Sequence, residues 1–508
     1  MNSGRYFGAL SRRRTVKSLF FFGVLFASLL AALYLILSAD FSGARRPRGT
    51  AALLAGQGQP GLYKILLSSG PCDTSIADTQ DGMVKPNQSK IFFHDNTWWM
   101  IAQQNSTSDW AIWRYESGRS WTAVYQFNTS SKEHPDAVVD YNANKLYVLW
   151  SGNSSSSLWK FSYDSVNRTW NKLSEISLPT VHTINGDPAA LIRTPTGDLW
   201  AFMAANNEVT GIHSADDGAN WSTITLANNL TAGYGLVDAV VFTDTNGVDY
   251  LGVGVGEDTD TAARFHFYLH ALSAPETLWV DESDQVGPIE SEQSDDHICM
   301  AVDRFNNVYM ITKNHGSGPI NSLYVRHPDS TWNAYKVMDV DSWTRPAVIV
   351  DNSHDTLYVF GSRTNDRAEY KKCKIGEEST LVDDNLRTPL MEEGGDYFVN
   401  LSVAFHAVYD STELMVLADN SDQGDVWFSW LPIGSSSGCP FQPIDTTIYN
   451  FTISKSGSDV VLDWTAVARA DSYVVYRGLT PMFSADTARY AVVTTNTFTD
   501  TSALGDPD

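Results

Sequence analysis

Short runs of apolar residues separated by polar turns recur along most of this chain. In residues 134–150, two apolar runs, at residues 137–139 and 146–149, flank a polar turn. Runs of β-branched and aromatic residues bounded by Asn and Asp predict a β-hairpin. The pattern repeats roughly every fifty residues, a spacing typical of propellers and solenoids. It occurs in seven segments, at residues 91–101, 134–150, 188–202, 238–253, 298–311, 346–360 and 401–416.

A second hairpin follows within most repeats and carries a tryptophan at its outer strand. Two hairpins give four strands, which is the content of one propeller blade. No repeat buries both faces of its sheet alone, so neighbouring repeats must supply the core. We therefore predict an all-β chain with a seven-bladed β-propeller over residues 63–443. The outer-strand tryptophans are Trp121, Trp170, Trp221, Trp279 and Trp332.

The N-terminal region has a different character from the repeats. Residues 18–39 form an uncharged apolar run, and a helix needs about 20 such residues to cross a bilayer. A basic segment, residues 1–17, precedes this apolar run. Positive charge on that side favours a cytoplasmic N-terminus and an extracellular or periplasmic remainder of the chain. We predict a signal-anchor that attaches the chain to a membrane, followed by a linker over residues 40–62. A cleaved signal peptide, with small residues at positions 42–44, is the alternative.

In residues 445–508, apolar and polar residues alternate as they do in half-buried β-strands. They resemble a fibronectin type III domain through Trp464 on the second strand, Tyr473 and Tyr476 on the third, and residues 498–508. The resemblance implies an immunoglobulin-like sandwich. Two further strands of that family are missing after residue 508, so we expect this domain to be incomplete in the sequence.

Charge and cysteine content narrow the function classes. The 508 residues include 59 acidic and 35 basic side chains, a formal net charge of −24. An acidic exterior argues against nucleic-acid binding, which requires basic side chains that contact the phosphates.

Cys72 and Cys439 flank the first and last repeats, and we predict a disulfide between them. Cys299 lies in an apolar strand and is predicted to be a buried thiol.

Residues 214–221 match the Asp-box pattern S-x-D-x-G-x-x-W through Ser214, Asp216, Gly218 and Trp221. Asp216 is expected to accept hydrogen bonds from the amides of its own turn, and Gly218 to supply a positive φ. Trp221 is expected to fill the gap between blades. The motif resembles that of sialidases and other Asp-box propellers, and it implies the fold and a structural role.

The remaining candidates for chemistry precede the predicted inner strands, where they would surround one mouth of a central channel. Two carboxylates held across a sugar can act as acid and base, or one can act as a nucleophile. Asp136 with Asp187, or Asp187 with Asp238, are the candidate pairs. The alternative is that such groups cap strand ends or bind channel water or a cation. The polar residues at this position are His134, Asp136, Asp187, Asp238, Asp296, His297, Arg345 and Asn400.

Two enzyme families share parts of this pattern. Sialidases grip a carboxylate with three arginines, but the early Arg-Ile-Pro motif is absent, and nothing in the spacing selects Arg193, Arg264 or Arg345. His297 and His315 resemble pieces of seven-bladed polysaccharide lyases, in which a His and a Tyr remove a proton beside a uronate carboxylate. These matches are short, so the sequence does not identify the catalytic residues or any metal ligands.

Three functions follow as hypotheses. The first is a membrane-anchored extracellular binding or adhesion protein that recognises glycan or protein. The second is a glycan-active enzyme, either a sialidase-like glycosidase or a polysaccharide lyase, with its site at the channel mouth. A scaffold for envelope assembly is the third and rests on fold analogy alone. No cofactor is expected except a structural Ca²⁺, which acidic loops could bind.

Overall fold

A computed structural model describes two compact units, Leu54–Pro443 and the combination of Met1–Leu53 with Ile444–Asp508. The structure describes residues 37–40, 61–64, 87–103, 109–116, 120–127, 134–152, 155–179, 189–230, 234–257, 265–286, 295, 297–314, 321–338, 343–363, 367–391, 398–409, 414–420, 425–431, 433, 452–457, 459–464, 472–476, 489–493 and 495–501.

The chain is nearly all β, and its described strands pair antiparallel. Strand β1 (Leu37–Asp40) belongs to the smaller unit, and β2 (Gly61–Lys64) opens the larger one. Sheet 1 contains β3 (Ile91–His94), β4 (Thr97–Gln103), β5 (Trp110–Glu116) and β6 (Ser120–Gln126). Sheet 2 contains β7 (His134–Asp140), β8 (Lys145–Ser151), β9 (Ser156–Asp164) and β10 (Thr169–Ser177).

Sheets 3 and 4 join into one eight-stranded sheet, because β12 pairs with β15 at two residues. Sheet 3 contains β11 (Ala190–Arg193), β12 (Leu199–Ala205), β13 (Glu208–Ser214) and β14 (Ser222–Ala227). Sheet 4 contains β15 (Tyr234–Thr243), β16 (Asp249–Glu257), β17 (Phe265–Ala271) and β18 (Val280–Asp281). Sheet 5 contains β19 (Ile298–Val302), β20 (Val308–Lys313), β21 (Asn321–Arg326) and β22 (Trp332–Met338).

Sheet 6 contains β23 (Trp343–Asp351), β24 (Thr356–Arg363), β25 (Ala368–Lys374) and β26 (Thr388–Met391). Two short 3₁₀ helices, Glu378–Val382 and Asp384–Leu386, precede β26. Sheet 7 contains β27 (Phe398–Ser402), β28 (Leu414–Asn420) and β29 (Asp425–Leu431), and β2 is its fourth strand. The last sheet is thus completed by β2, the first described strand of the larger unit.

Each of the seven predicted hairpins forms the first antiparallel strand pair of its sheet. In sheet 2, Ala137 pairs with Val148 and Val139 with Leu146, as the apolar alternation predicts. The first strand of each pair is called the inner strand here. Its starting end and its turn end lie at opposite ends of the sheet, since the second strand runs back beside it.

Buried clusters connect the sheets in chain order. One cluster joins sheets 1 and 2, and three others join sheets 2 to 3, 3 to 4 and 4 to 5. A larger cluster contains side chains of sheets 5, 6, 7 and 1. Within it, Trp121 of sheet 1 packs edge-to-face on Phe428 of sheet 7, with ring centroids 6.0 Å apart. The shared cores therefore return from the seventh sheet to the first.

Two cysteines of the larger unit are buried free thiols, Cys299 and Cys373. The prediction for Cys299 is thus confirmed, and burial raises the pKa of its thiol. The predicted partners Cys72 and Cys439 lie outside the described residues, so that disulfide stays a prediction.

The smaller unit contains two three-stranded antiparallel sheets. One has the order β1-β32-β33, and the other has the order β30-β31-β34. The strands are β30 (Thr452–Ser456), β31 (Asp459–Asp463), β32 (Ser472–Tyr476), β33 (Arg489–Val493) and β34 (Thr497–Asp500). Trp464, predicted on the second strand of a sandwich, follows β31 and is buried.

The predicted membrane segment falls mostly outside the described residues, at positions 18–36. Its last residues, 37–39, form part of β1 instead of the predicted helix. Among the residues that the structure describes, none lies in a helix long and apolar enough to span a bilayer.

Candidate functional site

The candidate residues were predicted directly before the inner strands, but the structure places all the described ones except His297 within those strands, because pairing with the second strand begins earlier than the apolar runs do. His134 and Asp136 lie on β7, Asp238 lies on β15, and His297 precedes β19. Arg345 and Asn400 lie on β23 and β27. Asp187, Asp296, Arg264 and His315 are outside the described residues, so the pairs that include Asp187 stay predictions.

Asp136 is a buried connection between sheets 2 and 3. Its Oδ1 accepts hydrogen bonds from the amides of Ser89, at 2.8 Å, and Ala137, at 2.9 Å. Its Oδ2 accepts one from the Leu191 amide, at 2.7 Å. Burial raises the pKa of Asp136 to about 7, against the opposite effect of these amides and of Lys90. Both oxygens are thus engaged by backbone donors.

Asp238 repeats this arrangement between sheets 4 and 5. Its Oδ1 accepts a hydrogen bond from the Ala239 amide at 2.8 Å, and its Oδ2 accepts one from the Met300 amide at 2.7 Å. Burial raises the pKa of Asp238 well above its usual value, and the charge of Asp136 raises it further. In both sheets, a carboxylate on an inner strand holds the inner strand of the following sheet.

A four-residue segment, residues 87–90, makes contacts with several inner strands at once. Asn87 donates to the Val237 carbonyl at 2.8 Å, and Gln88 donates to the Ala189 carbonyl at 3.0 Å. The Lys90 amide donates to Ser402 Oγ at 3.1 Å. These partners belong to sheets 3, 4 and 7 or directly precede their inner strands. We call residues 87–90 the central segment, because it connects strands far apart in sequence.

Lys90 is fully buried and donates from Nζ to Gln88 Oε1 at 3.1 Å. Burial lowers its pKa to about 7, while the charges of Asp136 and Asp419 act in the opposite direction. Sequence reasoning missed this segment. The only local signal was its four polar residues directly before the first apolar strand.

Arg345 and Asn400 occupy equivalent irregularities in neighbouring sheets. Arg345 has φ +50° and Asn400 has φ +51°, where few residues other than glycine are found. In both inner strands the pairing register shifts beside this residue, as at a β-bulge. Asn400 donates to Asp419 Oδ2 at 2.9 Å, whereas Arg345 reaches Thr344 Oγ1 at 3.5 Å. The bulges redirect both side chains relative to the regular strand.

His297 belongs to a buried charged group in sheet 5. Its Nδ1 lies 2.7 Å from Asp295 Oδ1, and Lys313 Nζ lies 2.6 Å from Asp295 Oδ2. A carboxylate that holds one imidazole nitrogen fixes the orientation of the ring, as proton-transfer sites require. The sequence pattern pointed to the neighbouring Asp296 instead of Asp295. No strand periodicity could have selected Asp295, because Asp295 and His297 both precede β19.

A second buried pair lies beside this group. His266 Nε2 is 2.6 Å from Glu257 Oε1, and both residues are almost fully buried. The backbones of sheets 4 and 5 approach each other here, since a Cβ added to Gly256, next to Glu257, would lie 2.6 Å from the Asp295 carbonyl oxygen. Each of the two sheets thus has a buried histidine–carboxylate pair adjacent to this close approach.

The turn at residues 214–221 is closed by its own side chains. Asp216 Oδ1 accepts hydrogen bonds from Ser214 Oγ at 2.9 Å and from the Asn220 amide at 2.8 Å. Gly218 has φ +81°, and Trp221 Nε1 donates to the Gly218 carbonyl at 2.9 Å. Hydrogen bonds from the Asn220 side chain, the Asn220 backbone amide and Ser214, in that order of importance, lower the pKa of Asp216 to about 2.

This turn also docks on the preceding sheet through Asp217, which sequence reasoning did not single out. Asp217 accepts hydrogen bonds from Tyr147 at 2.5 Å and from Lys145 at 2.9 Å, both on β8. Lys160 of β9 donates to the Asp217 carbonyl at 2.8 Å. Asp217 has φ +60°, in the left-handed region.

In the described part of the chain, no three His, Cys, Asp or Glu side chains converge in a group that could hold a metal ion. The structural Ca²⁺ expected from acidic loops therefore stays a prediction.

Comparison with known proteins gives fold-level likenesses only. No protein-family model and no curated protein sequence matches the chain. Among solved structures, the polysaccharide lyase Uly1 is 11% identical, with a TM-score of 0.41, covering 79% of this chain and 99% of that one. YCF48 from Cyanidioschyzon merolae is 10% identical, with a TM-score of 0.40, covering 74% of this chain and 99% of that one.

A mutant of Trypanosoma rangeli sialidase that displays trans-sialidase activity is 15% identical, with a TM-score of 0.38. The match covers 60% of this chain and 57% of that one. These likenesses carry no argument about function, which rests on the residues of this chain.

Proposed function

We propose that the larger unit is a seven-bladed β-propeller in which sheets 1 to 7 are the blades. The proposal is supported by the order of the shared cores, which return from sheet 7 to sheet 1. It is supported also by β2, which completes the last sheet from the start of the unit. Closure of this kind leaves no long unpaired sheet edge.

The function that we propose is binding of a glycan or protein ligand outside the cell. The main support for binding without catalysis is that the carboxylates of Asp136 and Asp238 are buried and accept hydrogen bonds from backbone amides. A general acid or base must reach a substrate atom, and these oxygens instead hold neighbouring strands together. The remaining proposals are the signal-anchor, the fibronectin type III assignment of residues 445–508 and the Asp-box assignment of the 214–221 turn.

The test is a pair of assays on the same purified chain. Binding to an array of glycans and to candidate protein ligands is measured, and the release of reducing or unsaturated sugar is followed on every glycan that binds. The proposal expects binding without turnover. Turnover that is lost in the His297→Ala variant would overturn it and would establish the enzyme hypothesis.

The enzyme hypothesis is favoured by one specific arrangement, the hydrogen-bonded series of Lys313, Asp295 and His297. In a lyase or glycosidase, His297 would transfer the proton and Asp295 would orient it. His354, which lies 2.9 Å from Asp351 in a turn of sheet 6, is the matched control. Turnover must fall in His297→Ala and persist in His354→Ala for this alternative to hold.

A further inference from the structure

Two exposed aromatic rings lie at the turn ends of sheets 5 and 7, on either side of sheet 6 and opposite the starting ends that carry Asp136 and His297. Phe305 lies in the turn between β19 and β20 and is 49% exposed. Tyr409 lies in the connection between β27 and β28 and is 48% exposed. Large apolar groups left in solvent within one region mark binding surfaces more often than scattered single residues do.

The two rings are brought together by Asn352, in the turn of the sheet between them. The Arg304 amide, adjacent to Phe305, donates to Asn352 Oδ1 at 3.0 Å. Asn352 Nδ2 in turn lies 3.4 Å from the Tyr409 hydroxyl. The Asn352 side-chain amide therefore links the turn that carries Phe305 to the Tyr409 hydroxyl. We call Phe305, Asn352 and Tyr409 the aromatic platform.

Backbone hydrogen bonds fix both halves of the platform. The Phe305 amide donates to Asp303 Oδ1 at 2.8 Å, which closes its turn. The Val408 amide donates to the Val350 carbonyl at 2.8 Å, and the Asn352 amide donates to the Val408 carbonyl at 3.0 Å. The connection that carries Tyr409 is thus paired with sheet 6 directly before the exposed ring. A pre-ordered surface loses little conformational entropy when a ligand binds.

The charges beside the platform neutralise each other. Arg304 Nη2 lies 2.8 Å from Asp355 Oδ2, and the guanidinium also lies 4.8 Å from the centroid of the Phe305 ring. The platform therefore offers two exposed aromatic rings, and the charges of Arg304 and Asp355 beside it are paired. An aromatic face suits the C–H side of a sugar ring.

We propose that the aromatic platform binds a neutral oligosaccharide, with sugar rings stacked on Phe305 and Tyr409 and with Asn352 holding the two turns in place. This proposal rests on the proposed glycan-binding function and specifies its site and ligand class. It places the ligand at the turn end of sheets 5 to 7, away from the channel mouth that the sequence pattern favoured.

The test is isothermal titration of the full chain with cellohexaose, mannohexaose and laminarihexaose as neutral probes and oligogalacturonate as the anionic probe. Phe305→Ala and Tyr409→Ala are each expected to weaken the binding of a neutral probe by about tenfold or more, as loss of an aromatic anchor does. Val166→Ala is the control, because Val166 is 88% exposed on a different turn. Thermal melts of all variants show whether each one folds.

The outcomes separate the two proposals. Neutral binding that is lost in both platform variants, retained in the control and insensitive to salt supports the platform. Neutral binding that survives both substitutions, or a preference for the anionic probe, overturns the platform and leaves glycan binding intact. If the chain binds only a protein ligand, the platform is overturned while the binding function stands. Absence of binding to every glycan and protein tested overturns both.

Discussion

Asp136 on β7 accepts a hydrogen bond of 2.7 Å from the amide of Leu191, on the inner strand of the following sheet. This single contact joins two sheets through residues that are 55 positions apart in the sequence. The same carboxylate also receives the Ser89 amide of the central segment. A residue that resembled a catalytic candidate in the sequence thus serves to align three parts of the chain.

Replacing Asp136 by Asn is expected to destabilise the protein. An amide side chain presents an NH₂ group to at least one of the backbone donors that the carboxylate now satisfies. A buried donor without an acceptor costs about 1–3 kcal/mol. The free energy of unfolding, from denaturant titration, should fall by that amount. Glu208→Gln is the control, because Glu208 is the exposed first residue of β13, and equal stability of the two variants would contradict the assigned role.

Gly218→Ala tests the packing of the 214–221 turn against sheet 2. At Gly218, φ is +81° and an added Cβ would lie 2.9 Å from Leu158 Cδ2. Gly247 has φ +79° but nothing within 4 Å of such a Cβ, so Gly247→Ala reports backbone strain alone. Strain of this kind costs about 1–3 kcal/mol. We expect the melting temperature to fall further in Gly218→Ala than in Gly247→Ala; equal losses would show that the close approach to sheet 2 is unimportant.

Tyr147→Phe removes the hydroxyl that donates to Asp217 across the boundary between sheets 2 and 3. Loss of this hydrogen bond is expected to lower the free energy of unfolding by about 1 kcal/mol. Tyr250→Phe on β16 serves as the comparison, since its ring stacks on Phe242 without relying on the hydroxyl. Unfolding curves that coincide for the wild type and Tyr147→Phe would remove Asp217 as a connection between the sheets.

His94 should make stability depend on pH. Burial lowers its pKa from 6.5 to about 4, so the unfolded chain binds the proton first as the pH falls. The stabilisation from neutral His94 is therefore complete above pH 6.5 and is lost as the pH falls towards about 4. At ~1.4 kcal/mol per pH unit, the loss amounts to about 3 kcal/mol. In His94→Gln, the free energy of unfolding should decline less steeply over this range, and an unchanged slope would contradict the assignment.

The sequence predicted local pairing well because a strand with one buried face must alternate with period two. The Val138–Tyr147 pair of sheet 2 illustrates this, since both residues lie within one hairpin. The central segment could not be predicted in the same way. Lys90 contacts Ser402, 312 positions away, and its polar neighbours carry no periodicity that indicates burial.

The site was predicted less well than the fold for a related reason. Polar residues before inner strands are visible in the sequence, but whether their groups face solvent or a neighbouring strand depends on long-range packing. Asp238 is satisfied by Met300, 62 positions away, and no local pattern distinguishes this from a ligand-facing carboxylate. Phe305 and Tyr409 also gain their significance only through Asn352, which lies on a third turn.

Closure of the seven sheets can be tested in solution by one distance. The His406 ring of the sheet 7 connection lies 5.7 Å from the ring of Tyr141, in the first turn of sheet 2. Nitroxide labels on Asn142→Cys and Phe405→Cys, at exposed neighbours of these rings, should therefore give a short distance by electron paramagnetic resonance. An open stack would separate sheets 2 and 7 by five spacings of ~10 Å, about 50 Å in all. A short distance is the result that the closed propeller predicts, and a distance near that larger value would contradict it.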